Sequence, residues 1–182
     1  MAQNIEFKAR CRDLETVRQR ALLLATEEPK ILNQVDYFFE VPKGRLKLRI
    51  IDETVAQLIP YQRSDENSAR PSDYLLHQVS DPESLKSVLC RSLNQGPVVK
   101  KSRELIMVGR TRIHLDQVES LGTFIEIEVV LSDDELAHSS QGDSLNNSRA
   151  MEEMNQLKSK LGIDDEDILS VAYVDLLKEK AS

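Results

Sequence analysis

The sequence predicts an α+β fold in which eight antiparallel strands form a closed or nearly closed β-barrel, with helices packed outside it. The first observation is a period-two alternation of charged and apolar residues. It is clearest in FIEIEVVL at 124–131, where Glu126 and Glu128 share one face and Ile125 and Ile127 the other. The second is that these charged faces hold almost only Arg, Lys and Glu, whereas a solvent-facing sheet usually mixes in Thr and Ser. The third is a set of apolar stripes with helical spacing.

The strands follow from the alternation. We expect them at residues 3–10, 34–40, 44–50, 54–62, 73–79, 97–106, 109–115 and 123–131. Turn-forming residues at 42–44 and 108–109 join neighbouring strands, which favours an antiparallel meander. The polar segment 64–72 is expected to form a loop at one mouth of the barrel.

The helices are predicted from capping residues that precede apolar stripes. The expected starts are, in chain order, Asp13, Asp81 with Pro82, the capping box of Ser132 and Glu135, and residues 164–167. A further helix carries the apolar stripe of residues 151–161, follows a flexible loop at 139–148 and ends at Gly162. Their Met and Leu side chains are expected to pack against the outside of the sheet. Tyr173 and Asp175 are expected to anchor the last helix.

The charged faces predict the interior of such a barrel. If the strands close on one another, the cations facing inward are Lys8, Arg10, Arg45, Lys47, Arg49, Arg63, Lys101, Arg103, Arg110 and Arg112. The acids facing inward are Glu6, Asp116, Glu126 and Glu128. We expect such an interior to hold a polyanion and a metal ion. Because an unpaired buried charge is costly, the excess of cations indicates the anionic ligand. The alternative is a half-open sheet whose charged face is solvated.

Length and composition narrow the class of protein. The 182 residues suit a single domain over 1–182, and the chain has neither a long apolar run nor a signal-peptide core, so we expect a cytoplasmic protein without a membrane partner. A formal net charge of −7 argues against a nucleic-acid partner. Cys11 and Cys90 lack the spacing of a zinc site. A homodimer is left open.

Seven ordered blocks resemble the CYTH, or triphosphate tunnel, superfamily, and in particular its class IV adenylyl cyclase branch. They read QVDYFFEV at 34–41, GRLKLRI at 44–50, LIPYQR at 58–63, SDYLL at 72–76, VKKSREL at 99–105, RTRIHLDQVESLGTFIEIEV at 110–129 and AYVDLL at 172–177. The first strand of that family carries an ExExK motif, and this chain has Asn4, Glu6 and Lys8 in its place. The first acid is therefore an amide here.

The resemblance implies roles for individual residues. The metal ligands would be Glu6 and Glu126, helped by Glu128 and Asp116, and the metal Mg²⁺ or Mn²⁺. Phosphate oxygens would be held by Lys8, Arg45, Lys47, Arg49, Arg63, Lys101, Arg103 and Arg112. The catalytic residues would be Lys8, Arg103 and Glu126. Glu128 and Asp116 have an alternative role as partners that orient the arginines, and His114 is expected to be structural or at the rim.

Three functions are compatible with these residues. The resemblance implies first a metal-dependent cyclase that converts ATP to cAMP and pyrophosphate. The second function is a triphosphatase acting on inorganic triphosphate, thiamine triphosphate or a nucleoside triphosphate. The third is a non-catalytic sensor of triphosphate or polyphosphate. Because catalysis of phosphoryl transfer depends mainly on positioning and charge neutralisation, the same cage of charges serves either reaction.

Overall fold

The computed structural model describes the backbone of residues 2–63, 70–131 and 144–181, and the side chains of residues 4–62, 74–131 and 149–181. In this part of the chain, ten strands form one antiparallel sheet. They are β1 (Ala2–Arg10), β2 (Lys30–Phe39), β3 (Arg45–Ile51), β4 (Val55–Arg63), β5 (Arg70–Tyr74), β6 (His77–Val79), β7 (Gln95–Val108), β8 (Thr111–Val118), β9 (Gly122–Val130) and β10 (Ile168–Leu169).

The sheet curls around a common cavity. Its strands are paired in the order β1, β5, β4, β3, β2, β7, β8 and β9, and β9 also pairs with β1, so the pairings return to the first strand. The register sets Glu6 opposite Glu128 and Lys8 opposite Glu126. The predicted α+β class and the single antiparallel sheet are confirmed, and among the described residues the sheet has ten strands in place of the predicted eight. The charged faces of the strands point to the cavity.

Four helices accompany the sheet in the described residues: α1 (Leu14–Leu22), α2 (Pro82–Ser92), α3 (Ser144–Leu161) and α4 (Tyr173–Ala181). Two of the predicted N-caps, Asp13 and Asp81, are confirmed. The side chain of Asp13 accepts a hydrogen bond from the backbone N–H of Thr16 at 3.0 Å, and that of Asp81 accepts one from Ser84 at 3.1 Å. These bonds satisfy backbone donors that have no partner within the first turn of each helix.

The main core lies between the outer face of the sheet and helices α1 and α3. Phe7 of β1 and Ile127 of β9 pack there with Ala21 of α1 and with Met154 and Leu161 of α3, all at most 4% exposed. Because side chains alternate along a strand, burying these apolar residues outside turns their charged neighbours inward. No helix in the described residues is long and apolar enough to cross a membrane.

Several predicted boundaries are wrong near the C-terminus. Helix α3 begins at Ser144, inside the loop predicted for 139–148. Residues 164–167 do not start the last helix. Asp165–Asp167 form a short 3-10 turn, and β10 follows it. The pairing of β5 with β1 ends at Glu6, and β10 pairs with β1 beyond that point, which covers this edge of β1. Helix α4 begins only at Tyr173, where the carboxylate of Asp175 accepts a hydrogen bond from the backbone N–H of Ala172.

The predicted strand 73–79 is two strands, because β5 pairs with the end of β4 and β6 with its beginning. Part of the predicted loop 64–72 belongs to β5, and residues 64–69 lie outside the described part of the chain. The helix predicted from Ser132 and Glu135 also lies outside it.

Candidate functional site

The inward faces of the strands line a cavity of about 400 Å³. Its charged lining residues are Glu6, Lys8, Asp36, Lys47, Arg49, Lys101, Arg103, Arg112, Glu126 and Glu128. The amides Asn4, Gln34 and Gln57, the ring of His114 and several apolar side chains complete the wall. This cavity therefore brings together side chains from strands that are far apart in the sequence.

A buried carboxylate on β2 organises two cations of β3. Asp36 is 2% exposed and accepts hydrogen bonds from Nε and Nη2 of Arg49, both at 2.7 Å. The Nζ of Lys47 lies 3.6 Å from the same carboxylate. Such a two-pronged bond fixes the plane of the guanidinium and leaves its remaining N–H donors available to a ligand.

The β7–β8 hairpin repeats this arrangement. Asp116 is fully buried and accepts two hydrogen bonds of 2.7 Å from Arg103, while Nζ of Lys101 lies 3.8 Å away. The hydroxyl of Tyr173, the first residue of α4, donates a further bond to Asp116 at 2.8 Å. We call Asp36, Arg49 and Lys47 the first Asp–Arg–Lys unit, and Asp116, Arg103 and Lys101 the second unit.

The two carboxylates of β9 lie beside the second unit. Glu126 accepts a hydrogen bond from Nζ of Lys8, and one of its oxygens is 3.6 Å from Nη2 of Arg103. Glu128 accepts bonds from Nδ2 of Asn4 and from Nη1 of Arg112, the latter at 3.2 Å. The carboxylates and the cations of the cavity therefore satisfy one another.

His114 of β8 lies between these two carboxylates rather than at the rim. Its Nδ1 is 3.3 Å from Glu126 and its Nε2 is 3.8 Å from Glu128, and the residue is 5% exposed. Burial and the charge of Arg103 lower the pKa of His114. The lowered pKa favours a neutral ring that donates one hydrogen bond.

Burial and the neighbouring cations shift the pKa values of the cavity acids in opposite directions. Burial alone would raise the pKa of Asp36 and of Asp116, but the adjacent guanidinium and ammonium groups outweigh it and hold both well below their usual range. In the same way, Lys8 and Arg103 overcome the burial of Glu126 and keep its pKa low. All three acids are therefore ionised at neutral pH.

In the lysines of the two units, by contrast, burial is the dominant effect, and it lowers the pKa. Burial, and then the charge of Arg49, lower the pKa of Lys47 to about 8. Burial and the charge of Arg103 lower the pKa of Lys101 well below its usual value. Burial and the neighbouring arginines thus disfavour the protonated form of both ammonium groups, and an added anion would favour it.

Most of the predicted site residues line this cavity. The others are placed as follows. Asp116 is behind the cavity wall and fully occupied by its partners, which favours its orienting role. Arg45 bonds to Asp175 of α4 at 2.9 Å. Arg110 bonds to Glu153 of α3 on the outside of the sheet. The side chain of Arg63 lies outside the described residues.

The excess of cations over acids inside the sheet is much smaller than the sequence predicted. Arg10 is exposed, with its guanidinium 5.5 Å from the ring of Phe124. Asp36, which the sequence reasoning missed, adds an acid to the interior. The cations that line the cavity in the described part of the chain are Lys8, Lys47, Arg49, Lys101, Arg103 and Arg112. The acids that line it or lie directly behind it are Glu6, Asp36, Asp116, Glu126 and Glu128.

Of the two residues that the sequence reasoning missed, Asp36 and Tyr173, the sequence carries a signal for Asp36 alone. Asp36 lies on the same face of β2 as Gln34, in phase with Arg49 of the next strand. Tyr173 was expected only to anchor the last helix, yet its ring lines the cavity, 4.0 Å from Nζ of Lys8. An isolated Tyr at a helix start gives no indication of the cavity it enters.

The wall also offers oxygen donors to a metal ion. Glu6, Glu126 and Glu128 line it, and Oδ1 of Asn4, a residue 3% exposed, has no hydrogen-bond partner among the described residues. No three acidic, His or Cys side chains of the described chain stand close enough to form a ready-made metal site. Mg²⁺ needs only one or two carboxylates when waters and substrate phosphates complete its shell, so these residues fit it.

An antiparallel sheet curled around paired cations and carboxylates defines a class of small α+β proteins with a charged interior. The CYTH domain family model matches residues 2–170, and this chain belongs to that family. A comparison with curated proteins gives no match.

Solved structures share the fold. The PH1012 protein from Pyrococcus horikoshii OT3 is 25% identical, with a TM-score of 0.79 over 95% of this chain and 98% of its own. A Vibrio parahaemolyticus protein provisionally called an adenylate cyclase is 20% identical, with a TM-score of 0.71 over 96% and 97%. The Hippeastrum protein HpAC1, described as having a dominant triphosphatase activity, is 15% identical, with a TM-score of 0.64 over 100% and 96%. At these last two identities the likeness concerns the fold alone.

The depressed pKa values of Asp36, Asp116 and Glu126 predict acid sensitivity. A carboxylate with a lowered pKa stabilises the fold above its unfolded pKa of about 4, and this stability is lost as the pH falls through and below that value. We expect the free energy of unfolding to fall from about pH 5 downwards. The free energy of unfolding of Asp116→Asn should be about 3–5 kcal/mol lower at pH 7, because Arg103 loses its buried partner. It should also decrease less steeply than that of the parent protein as the solution is acidified.

Urea unfolding followed by circular dichroism at a series of pH values measures both effects. Asp164→Asn is the matched control, since Asp164 is exposed and makes no capping bond. The expectation is wrong if the free energy of unfolding declines equally steeply towards low pH in Asp116→Asn and in the parent protein.

Proposed function

We propose that the protein binds the triphosphate group of its substrate inside the cavity, which the sheet encloses as a tunnel, and that it catalyses a metal-dependent reaction at a phosphoanhydride bond. The observation that carries this proposal is the pair of Asp–Arg–Lys units, which aim two oriented guanidinium groups and two ammonium groups at one cavity. Forked guanidinium donors match phosphate oxygens, and lysine supplies a compact charge beside them.

Binding would proceed by an exchange of partners. In the structure Lys8 bonds to Glu126 and Arg112 to Glu128. With a triphosphate and a metal ion bound, Glu126 and Glu128 would hold the ion, and Lys8 and Arg112 would hold phosphate oxygens. The arginines of the two units keep their aspartates, because each aspartate leaves other N–H donors of its arginine unused.

Glu6, Glu126 and Glu128 would hold the metal ion, with Oδ1 of Asn4 as a further oxygen donor. Mg²⁺ and Mn²⁺ suit this all-oxygen set. Such an ion, when bound, neutralises charge on the phosphate oxygens and on the group that leaves. The Nδ1–H of His114 would orient Glu126 towards the cavity.

Two reactions fit this arrangement, and both keep the charged residues in the same roles. In the cyclase reaction, a ribose hydroxyl attacks the α-phosphorus of ATP, the bond to the bridging oxygen breaks, and pyrophosphate leaves with its charge held by Lys8 and Arg103. The name given to the Vibrio parahaemolyticus structure supports this reaction. In the triphosphatase reaction, water attacks a terminal phosphorus, the bond from that phosphorus to the bridging oxygen breaks, and orthophosphate and the remaining diphosphate leave with the proton of the attacking water passing to solvent. The activity stated for Hippeastrum HpAC1 supports this second candidate.

Glu126→Gln should lower turnover by roughly 10²–10³-fold while retaining most of the affinity for the triphosphate. The amide keeps the size of the side chain but removes the charge that would hold the ion. Arg103→Ala should lose both affinity and turnover, because this arginine contacts phosphate in the ground state and in the transition state alike. The measurement is incubation with ATP, inorganic triphosphate and thiamine triphosphate with Mg²⁺ or Mn²⁺, followed by quantification of cAMP, pyrophosphate and orthophosphate.

Glu119→Gln is the matched control, since Glu119 is exposed and its ion-pair partner Lys100, at 3.8 Å, is exposed as well. Production of cAMP identifies the cyclase, and orthophosphate without cAMP identifies the triphosphatase. If Glu126→Gln reacts at the parent rate with the same metal dependence, the mechanism is wrong. If the parent protein binds triphosphate but converts none of the three compounds, the sensor alternative replaces an enzyme.

The lowered pKa of Lys47 predicts proton uptake on binding. At pH 9, above a pKa of about 8, most Lys47 side chains are expected to be neutral before an anion binds. A bound triphosphate favours the charged form, so each binding event should take up part of a proton from the buffer. Calorimetric titration with inorganic triphosphate in two buffers of different ionisation enthalpy measures that uptake.

Lys47→Arg should reduce the uptake, because a guanidinium is already charged at pH 9. Lys100→Arg is the control, since Lys100 is exposed on the outer face of β7. Equal uptake by the parent protein and by Lys47→Arg would show that Lys47 does not contact the anion.

A further inference from the structure

Gln34 carries a buried polar atom that the proposed function does not use. Its residue is only 4% exposed, and its Oε1 has no hydrogen-bond partner among the residues that the structure describes. An unsatisfied buried acceptor is costly, and it calls for a donor from a ligand or from water. The ionised oxygens of a triphosphate are acceptors themselves, so the phosphate chain cannot satisfy this atom. A hydroxyl group can.

The lysine nearest to Gln34 in the sheet is directed to other partners. Gln34 is paired with Lys101 of β7, and it precedes Asp36 on the same face of β2. Nζ of Lys101 is 3.8 Å from Asp116 of β8 and 5.2 Å from the ring centroid of Tyr173 of α4. Gln34 therefore lies between the two Asp–Arg–Lys units, and its oxygen is open to a molecule that both units hold.

Apolar side chains flank Gln34 along the wall. Leu32 precedes it on the same face of β2 and lines the cavity, and Ile51 is its partner on β3. Neither side chain can accept a hydrogen bond, so Oε1 is the acceptor that this part of the wall offers to a hydroxyl group. An acceptor fixed in the sheet also fixes the direction of the hydroxyl oxygen, and such positioning supplies much of the rate of phosphoryl transfer.

The strand order places Gln34 across the cavity from the cations that hold the leaving phosphate. Along the pairings, β2 is separated from β1 by three strands in either direction, so Gln34 and Lys8 line opposite walls. Nη2 of Arg103 is 3.6 Å from Glu126 of β9, which places this second cation on the far side as well. In phosphoryl transfer the attacking and leaving oxygens lie roughly in line on opposite sides of phosphorus. The attacking oxygen therefore comes from the side of Gln34.

We propose that Gln34 is a catalytic residue that binds the attacking hydroxyl group, which belongs to water in the triphosphatase reaction and to ribose in the cyclase reaction. The O–H donates to Oε1 and its oxygen forms a bond to phosphorus. The bond from phosphorus to the bridging oxygen breaks, and the proton of the nucleophile passes to solvent. Gln34 orients the nucleophile and takes up no proton. This inference rests on the proposed function, because it adds a residue to the reaction proposed there.

Gln34→Met tests the role directly, because it removes the oxygen and keeps an unbranched side chain of similar length. The substrate is the one that the parent protein converts among ATP, inorganic triphosphate and thiamine triphosphate, with Mg²⁺. The kcat should fall by roughly 10²-fold while KM stays within about twofold. Affinity for the non-hydrolysable imido analogue of inorganic triphosphate, measured by calorimetric titration, should not change. Gln117→Met is the matched control, since Gln117 is exposed on β8.

Gln34→Glu separates this role from a merely structural one, because it keeps an acceptor oxygen and adds a negative charge. Its KM should rise, since the charge repels phosphate, but its kcat should exceed that of Gln34→Met by at least about tenfold. Circular dichroism checks that both variants fold. If Gln34→Met does not fold, Gln34→Glu decides the question, and its kcat must then lie within about tenfold of the parent value.

Three results would overturn the inference while the proposed function stands. They are a Gln34→Met variant with the parent kcat, a Gln34→Met variant that loses kcat and affinity for the analogue together, and a Gln34→Glu variant as slow as Gln34→Met. If the parent protein binds the analogue but converts none of the three compounds, the proposed reaction fails and the inference fails with it.

Discussion

The buried pairing of Asp36 with Arg49 and of Asp116 with Arg103 is the interaction on which the rest of the site depends. Each aspartate is almost completely buried, and each accepts two bonds of 2.7 Å from its arginine. An uncompensated charge at either position would be strongly destabilising, whereas the pair is tolerated because its hydrogen bonds are nearly complete. The aspartates thereby allow guanidinium groups inside the sheet and hold them in fixed directions.

This pairing also explains how a charged interior is compatible with a stable fold. Apolar residues of the strands face outwards and pack under α1 and α3, which turns the charged residues inwards. There the cations find carboxylates, and the lysines of the two units have lowered pKa values. A polyanion would release Lys8 from Glu126 and favour protonation of Lys47. Ligand binding and the charge state of the cavity are therefore linked.

The sequence predicted the elements with the strongest patterns. Alternation identified the strands that carry Lys8, Arg49, Arg103 and Glu126, because side-chain direction in a strand depends only on the period of two. The same alternation places Asp36 on the face of β2 that carries Gln34, but the pairing of Asp36 with Arg49 depends on the register between the strands, which alternation within one strand does not determine. The start of α4 was predicted too early, because the acidic run at 164–167 resembles a helix N-terminus, while the free edge of β1 draws Ile168 and Leu169 into the sheet.

The most direct test of the account is a crystal structure of the protein with a non-hydrolysable triphosphate analogue and Mg²⁺. The account predicts phosphate oxygens bound by Arg49 and Arg103 while both arginines keep their bonds to Asp36 and Asp116, and it predicts that Lys8 has left Glu126 for the ligand. A ligand bound outside the sheet, or an Arg103 that has left Asp116 to reach it, would contradict the claim that the buried aspartates hold the arginines in place for binding.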